Sequence, residues 1–318
     1  TMKKQTLELH PELQDVFRKS PAIHYSKRNL WLVQFLVSLM PASKAPEDVS
    51  IKNIRIPTHD GVGTLRLRIY QPQNTSAPTP ALVWIHGGGT IMGKPEMDDI
   101  QCIQYVRELG ISVVSVDYRL APKHPFPAGL EDCYTALHWA KTHAVDFDID
   151  TSRIGIGGAS AGGGLAAALA QLAHDRKEIS PVFQLLIYPM LDDRTVLRKE
   201  IDDSLSPAWS QRSNRFGWES YLGTRPGADS PPAYAVPARR EDLRGLPTAW
   251  IGVGTLDVFH DEDITYARRL RESGITCDLD IIPGAFHGFD VFDRELPVVQ
   301  EFQKMQITAL RKHLVQAP

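Results

Sequence analysis

Arg153-Ile154-Gly155-Ile156-Gly157-Gly158-Ala159-Ser160-Ala161-Gly162-Gly163-Gly164-Leu165-Ala166-Ala167-Ala168-Leu169-Ala170-Gln171-Leu172 runs from an apolar stretch through a glycine-rich turn into an alanine-rich stretch. The first part reads as a buried strand and the last as a helix. Between them, Gly158 to Gly162 spells G-x-S-x-G at a strand-to-helix turn, the context a nucleophile elbow requires. A serine there sits in strained backbone, and small neighbours let the chain bend that tightly. Its Oγ then projects into a cleft, and the Ala161 N–H, at a helix start, is aimed to donate to an anion. Alone, the motif does not separate this reading from a glycine turn that merely starts a helix. Two further stretches do.

Outward from this turn the chain alternates strand and helix. Apolar runs at 81–85, 111–116, 154–157, 183–188, 249–253 and 278–282 read as strands. Helical patterns at 98–109, 130–141, 161–174, 260–273 and 294–314 separate or follow them, the first ended by Gly110. Two earlier strands, 49–57 and 65–70, flank the turn His59-Asp60-Gly61. In the second, Leu65, Leu67 and Ile69 alternate with Arg66 and Arg68, the pattern of a half-solvated edge strand. The fold expected is α/β: a mostly parallel eight-stranded sheet flanked by helices. In such a sheet, functional loops gather at the carboxyl ends of the strands.

Two regions depart from that rhythm. Residues 7–40 carry apolar residues at helical spacing, broken by Pro21 and Pro41. Ordinary core packing and an apolar wall over a pocket both explain that stripe. Residues 190–240 lie between two core strands and hold Pro207, Trp209, Trp218, Tyr221 and Pro231-Pro232, which reads as an inserted helical cap. The expected division is 1–45 as the N-terminal part of the cap, 46–189 as core, 190–240 as cap insert, and 241–318 as core.

Composition narrows the class. The 318 residues suit one large α/β domain with an added lid. A net charge of −3 argues against a nucleic-acid surface. Cys102, Cys133 and Cys277 are odd in number and far apart, fitting neither a disulfide framework nor a metal site. Reduced cysteines point to the cytoplasm. Met2-Lys3-Lys4 is not followed by the apolar stretch of a secretory signal. Residues 30–40 are strongly apolar but too short to span a bilayer, so no stable membrane insertion is expected.

The second chemical stretch is His86-Gly87-Gly88-Gly89, directly after the strand 81–85. It matches the HGGG pattern that supplies backbone donors to an oxyanion hole. His86 reads as structural, holding the loop by side-chain hydrogen bonds. The third is an acid and a histidine: Asp257 follows the strand 249–253, and His287 follows the strand 278–282. The chain order Ser, Asp, His is that of the α/β-hydrolase arrangement. Asp261, Glu262 and Asp263 rival Asp257 but already fall on the next helix.

These stretches carry a resemblance. With Asp117-Tyr118-Arg119-Leu120-Ala121-Pro122, His124-Pro125-Phe126-Pro127-Ala128, Tyr188-Pro189 and His287-Gly288-Phe289, the chain resembles the hormone-sensitive-lipase-like (bacterial family IV) carboxylesterases of the α/β-hydrolase superfamily. The resemblance covers about residues 80 to 290. It implies Ser160 as nucleophile, His287 as base and Asp257 as orienting acid. It also implies an oxyanion hole from the N–H groups of Gly88, Gly89 and Ala161, and acyl chains of short to medium length. Ala159, Thr90 and Gly164 depart from the family, which usually has Asp or Thr, a large apolar residue, and Asn at those positions. The departures bear on loop support and pocket shape.

The expected enzyme hydrolyses a small-molecule carboxylic ester through an acyl-enzyme, with no metal or cofactor. Rival readings are an amidase or deacetylase-type hydrolase on the same scaffold, a binding module, and a membrane-associated lipase anchored by residues 30–40. The plant gibberellin receptors resemble the family but lack its histidine, whereas His287 is present here. A homodimer edge is expected from the last strand and the final helix with Leu310 and Leu314.

Overall fold

In the computed structural model, strands fall at Val49–Pro57 (β1), Thr64–Pro72 (β2), Thr79–Ile85 (β3), Ser112–Asp117 (β4), Ile149–Ala159 (β5), Phe183–Ile187 (β6), Thr248–Gly254 (β7) and Cys277–Ile282 (β8). The structure describes residues 8–20 and 23–316; the Pro21 break and the reading of Met2-Lys3-Lys4 lie outside these. One sheet joins all eight strands in the order β1-β2-β4-β3-β5-β6-β7-β8. The pairs β1–β2 and β2–β4 are antiparallel, and from β4 to β8 every pair is parallel. Strands β3 and β6 are buried along their whole length, as continuous apolar runs covered on both faces must be.

The helices are Gln14–Lys19 (α1), Leu30–Ser38 (α2), Asp99–Leu109 (α3), Ala128–Thr142 (α4), Ala161–Arg176 (α5), Gln211–Leu222 (α6), His260–Glu272 (α7) and Pro297–Leu310 (α8). Side chains of α4, α5 and α7 fill the core on one face of the sheet. Those of α3 and α8 fill it on the other. Gly110 ends α3 in the left-handed conformation, φ 64°. The final helix passes into a π-turn at Arg311–Val315.

Two expectations are corrected here. Strand β2 is not an edge: it lies between β1 and β4, and β1 takes the edge. Its arginine face is therefore covered. Arg68 is buried and ion-paired to Asp99 of α3 at 2.8 Å, with the Tyr70 hydroxyl donating to the same carboxylate at 2.6 Å. Arg66 pairs with Glu96 and Asp117. The alternation was real, but ion pairing, not solvent, satisfies its polar half. The second correction concerns the dimer edge. Leu310 and Leu314 are fully buried in the protein's own core, which leaves only the outer side of β8 exposed as an edge.

The two departing regions meet. His24 lies 3.0 Å from the Ser210 hydroxyl, and the Tyr25 N–H donates to Ser213 Oγ at 3.2 Å. The Tyr25 and Trp209 rings stand 5.5 Å apart. Among its described residues the first of these regions is helical only in part: a short 3-10 turn at Pro11–Leu13, then α1 and α2. Among the described residues, no helix is long and apolar enough to cross a membrane. Cys102, Cys133 and Cys277 are all buried.

Candidate active site

Ser160 stands between β5 and α5 with φ 57° and ψ −121°, a strained conformation for a residue with a side chain. Its own backbone holds it there. The Ser160 N–H donates to the Ile187 carbonyl at the end of β6, 2.8 Å away. Its carbonyl accepts from Met190 and Gly164, each at 3.0 Å. The turn fits because its flanks lack side chains: a Cβ on Gly162 would lie 2.0 Å from the Ile85 carbonyl oxygen at the end of β3. A Cβ on Gly164 would lie 2.1 Å from the Met190 carbonyl oxygen, so the asparagine usual in the family has no room here.

Two loops at the same end of the sheet bring the other side chains in. The loops after β7 and β8 are tied together: Leu256 N–H donates to Ala285 O at 3.0 Å, and Gly284 N–H to Thr255 Oγ1 at 2.8 Å. That lacing sets Asp257 and His287 side by side. His287 Nδ1 lies 2.8 Å from Asp257 Oδ2, and its Nε2 lies 2.8 Å from Ser160 Oγ. A carboxylate only accepts, so Nδ1 carries the proton and Nε2 is free to accept from Ser160. The other oxygen of Asp257 accepts from the Phe259 N–H at 2.9 Å. All three side chains are buried. The rival acids point elsewhere. Asp261 pairs with Arg198 and His260, Glu262 accepts from Leu191 N–H and from Thr195, and Asp263 has no partner among the described residues.

The glycine loop after β3 lies against the same turn. Gly88 and Gly89 have φ of 113° and 60°, conformations open to glycine. Among the described residues, no backbone acceptor takes the N–H of Gly88, Gly89 or Ala161. His86 is fully buried, stacked on Tyr118 with centroids 4.3 Å apart, and its Nδ1–H donates to the Gly87 carbonyl at 2.7 Å. Burial pushes its pKa down, which keeps the imidazole neutral. Tyr118 adds a hydroxyl bond to the His86 carbonyl at 3.0 Å.

Phe259 carried no signal in the sequence, and Tyr188 entered only through Tyr188-Pro189, with no role attached. Phe259 and Tyr188 present their rings to His287 at 5.0 and 4.8 Å, boxing it edge-on. Tyr188 is fixed in turn by its hydroxyl, which donates to Asp290 at 2.7 Å. Trp209 fills the space over Gly89: a Cβ there would lie 2.0 Å from the indole. Trp209 stood out only as one aromatic among several in an irregular segment. Beside Ala161, a small cavity is lined by Thr90, Leu165, Met190, Trp218 and Tyr221.

Comparison with known proteins bears on this geometry. Residues 82–291 match the family described as the α/β-hydrolase fold. The chain is 34% identical to the esterase LipI of Mycobacterium tuberculosis over 251 residues, 78% of each chain. The chain belongs to the hormone-sensitive-lipase-like carboxylesterases of the α/β-hydrolase superfamily. Ethyl acetate hydrolase of Pseudomonas putida, a further relative, is 30% identical over 292 residues, 87% of each chain. A solved bacterial heroin esterase superposes on this α/β-hydrolase with a TM-score of 0.89 at 36% identity, covering 96% of this chain and 98% of that one.

Proposed function

We propose that the chain is a serine carboxylesterase acting on short- to medium-chain carboxylic esters, with Ser160 as nucleophile, His287 as base and Asp257 as orienting acid. The observation that carries this reading is the continuous Asp257–His287–Ser160 hydrogen-bond path, 2.8 Å at each link, with the serine in strained backbone at its end.

His287 Nε2 takes the Ser160 proton as Oγ attacks the ester carbonyl, and the C=O π electrons move onto oxygen. The N–H groups of Gly88, Gly89 and Ala161 stabilise that oxyanion; losing one such donor typically costs about 10²–10³ in rate. His287 then gives its proton to the departing alkoxide, the C–O bond breaks, and an acyl-Ser160 remains. Water, deprotonated by His287, releases the acid and restores the hydroxyl. Neutral His86, held against Gly87 and Tyr118, supports the loop and carries no proton in this scheme. Residues 1–45 and 190–240 act together as a cap, which favours small esters over long-chain ones. The contact of Tyr25 with Trp209 supports that pairing. Three buried free thiols support a cytoplasmic setting. The exposed side of β8 is the edge through which we expect a homodimer.

A serine-directed phosphonate, followed by mass spectrometry and p-nitrophenyl butyrate hydrolysis, tests the scheme. One adduct on Ser160 with activity abolished is expected, and Ser160→Ala is expected to lose about 10⁴–10⁶ in kcat/KM with unchanged fold. Full turnover by Ser160→Ala would sink the assignment.

A further inference from the structure

Residues 16–46 contain no Asp or Glu, but they contain Arg18, Lys19, Lys27, Arg28 and Lys44, in a chain whose net charge is −3. In the middle of that run lies α2. Its inner side is seated: Leu30 is buried, Val33 packs on the core, and Gln34 Nε2 donates to the Ile91 carbonyl at 2.7 Å. Its outer side is apolar and open. Trp31 is 65% exposed, Phe35 54%, Leu36 55% and Leu39 62%, with Leu32 and Met40 exposed beside them. Single exposed apolar residues are common, but a contiguous group with two aromatics marks an interaction surface.

Cations bracket this face. Lys27 and Arg28 are exposed just before the helix, and Lys44 is exposed beyond its end. Lys94 Nζ donates to the Ser38 and Met40 carbonyls at 2.9 and 2.7 Å, adding a cation at the helix C-terminus. Lys27 and Arg28 lie at the N-terminal end, where positive charge opposes the helix dipole. Helix stability therefore does not explain them.

Two covers compete for such a face. A second copy of the chain would set the patch against itself in an isologous contact. The run itself has no acidic residue, so a self-contact would set its cations against one another; the acids beside it, Asp15 at Arg18 and Asp48 and Glu108 around Lys44, lie away from Lys27 and Arg28 in sequence. An anionic lipid surface supplies what is missing: phosphates for the lysines and arginine, and a headgroup–acyl boundary for Trp31, Phe35 and the leucines. The nine residues of α2 span only about 14 Å, too short to cross a bilayer. We infer that α2 docks the protein onto an anionic lipid surface, lying in the plane of the interface. Docking there sets α2 between the lipid and the glycine loop, because Gln34 on its inner side bonds Ile91, which bonds back to Gly88 at 3.1 Å. Lipid docking stands apart from the esterase reading and is tested without turnover.

The test is sedimentation of the full chain with vesicles of phosphatidylcholine alone or mixed with phosphatidylglycerol. Binding to the anionic vesicles is expected to be about tenfold tighter or more, and to weaken as salt rises. Trp31→Glu and Phe35→Glu should each abolish it. Lys27→Gln with Arg28→Gln should weaken it about thirtyfold while the apolar face stays intact. All these side chains are exposed, so the thermal midpoint should stay within a few degrees of the parent. Failure to pellet with anionic vesicles at low salt overturns the inference. So does equal pelleting with both vesicle types, or binding that the variants leave unchanged. A dimer formed without lipid and dissolved by Phe35→Glu would overturn it in favour of a self-interface.

Discussion

Asp263 is fully buried on α7, and neither of its carboxylate oxygens has a hydrogen-bond partner among the described residues. Burial, and then the nearby Glu262 and Asp257 carboxylates, push its pKa well above the usual 3.8. The folded state therefore keeps this proton at a pH where the unfolded chain has released it. Stability owed to the group is present below about 3.8 and is lost as pH rises through the raised folded value. Asp263→Asn removes that loss. It should gain about 1–3 kcal/mol over the parent near pH 8, with the gain shrinking towards pH 4. Urea unfolding at the two pH values measures this, and an equal or reversed difference would contradict the assignment. The sequence marked Asp263 only as a rival to Asp257. Spacing from the strand end favoured Asp257, but burial without a partner is a property of the packed helix.

At the scale of elements, the β5–α5 turn joins local and non-local requirements. Gly162 was legible as part of G-x-S-x-G, yet what forbids a side chain there is strand β3, more than seventy residues earlier. A methyl on Gly162 would meet the Ile85 carbonyl oxygen at 2.0 Å and that of His86 at 2.5 Å. Gly162→Ala must push the end of β3 away, and the His86–Gly89 loop with it. The expected result is about 1–3 kcal/mol lost in urea unfolding and at least about tenfold lower kcat, with a smaller change in KM. A parental kcat would show that the loop tolerates the shift. Strand β2 teaches the reverse lesson. Its alternation was legible, but β4 and α3 cover its arginine face, and only the strand order revealed that.

At the scale of the whole molecule, the segment before β1 and the one between β6 and β7 meet beside the glycine loop. Trp209 meets both Gly89 and Tyr25, so one indole joins the glycine loop, the insert and the N-terminal segment. If these segments bound the acyl site, p-nitrophenyl butyrate is hydrolysed faster than the palmitate ester. Trp209→Ala should then narrow that ratio by about tenfold, equivalent to about 1.4 kcal/mol in the barrier difference. Initial rates on the two esters decide it. Faster palmitate turnover by the parent would mean that the segments do not limit chain length.

The sequence by itself determined the eight strands, the helices between them, the two glycine-rich stretches, and the order Ser160, Asp257, His287. These are local properties: hydrophobic period, turn composition and position after a strand are written within a few residues. Tertiary structure alone decided that β1 is the edge, that Arg68 is buried beside Asp99, and that Leu310 and Leu314 belong to the core. It also brought Phe259 and Tyr188 against His287, and Trp209 over Gly89. The Tyr188, Trp209, Arg68 and leucine contacts join residues far apart along the chain, and Phe259 reaches His287 only because two loops are laced together. No local period encodes such pairings. They arise when neighbouring strands take their order and most buried polar groups find a partner.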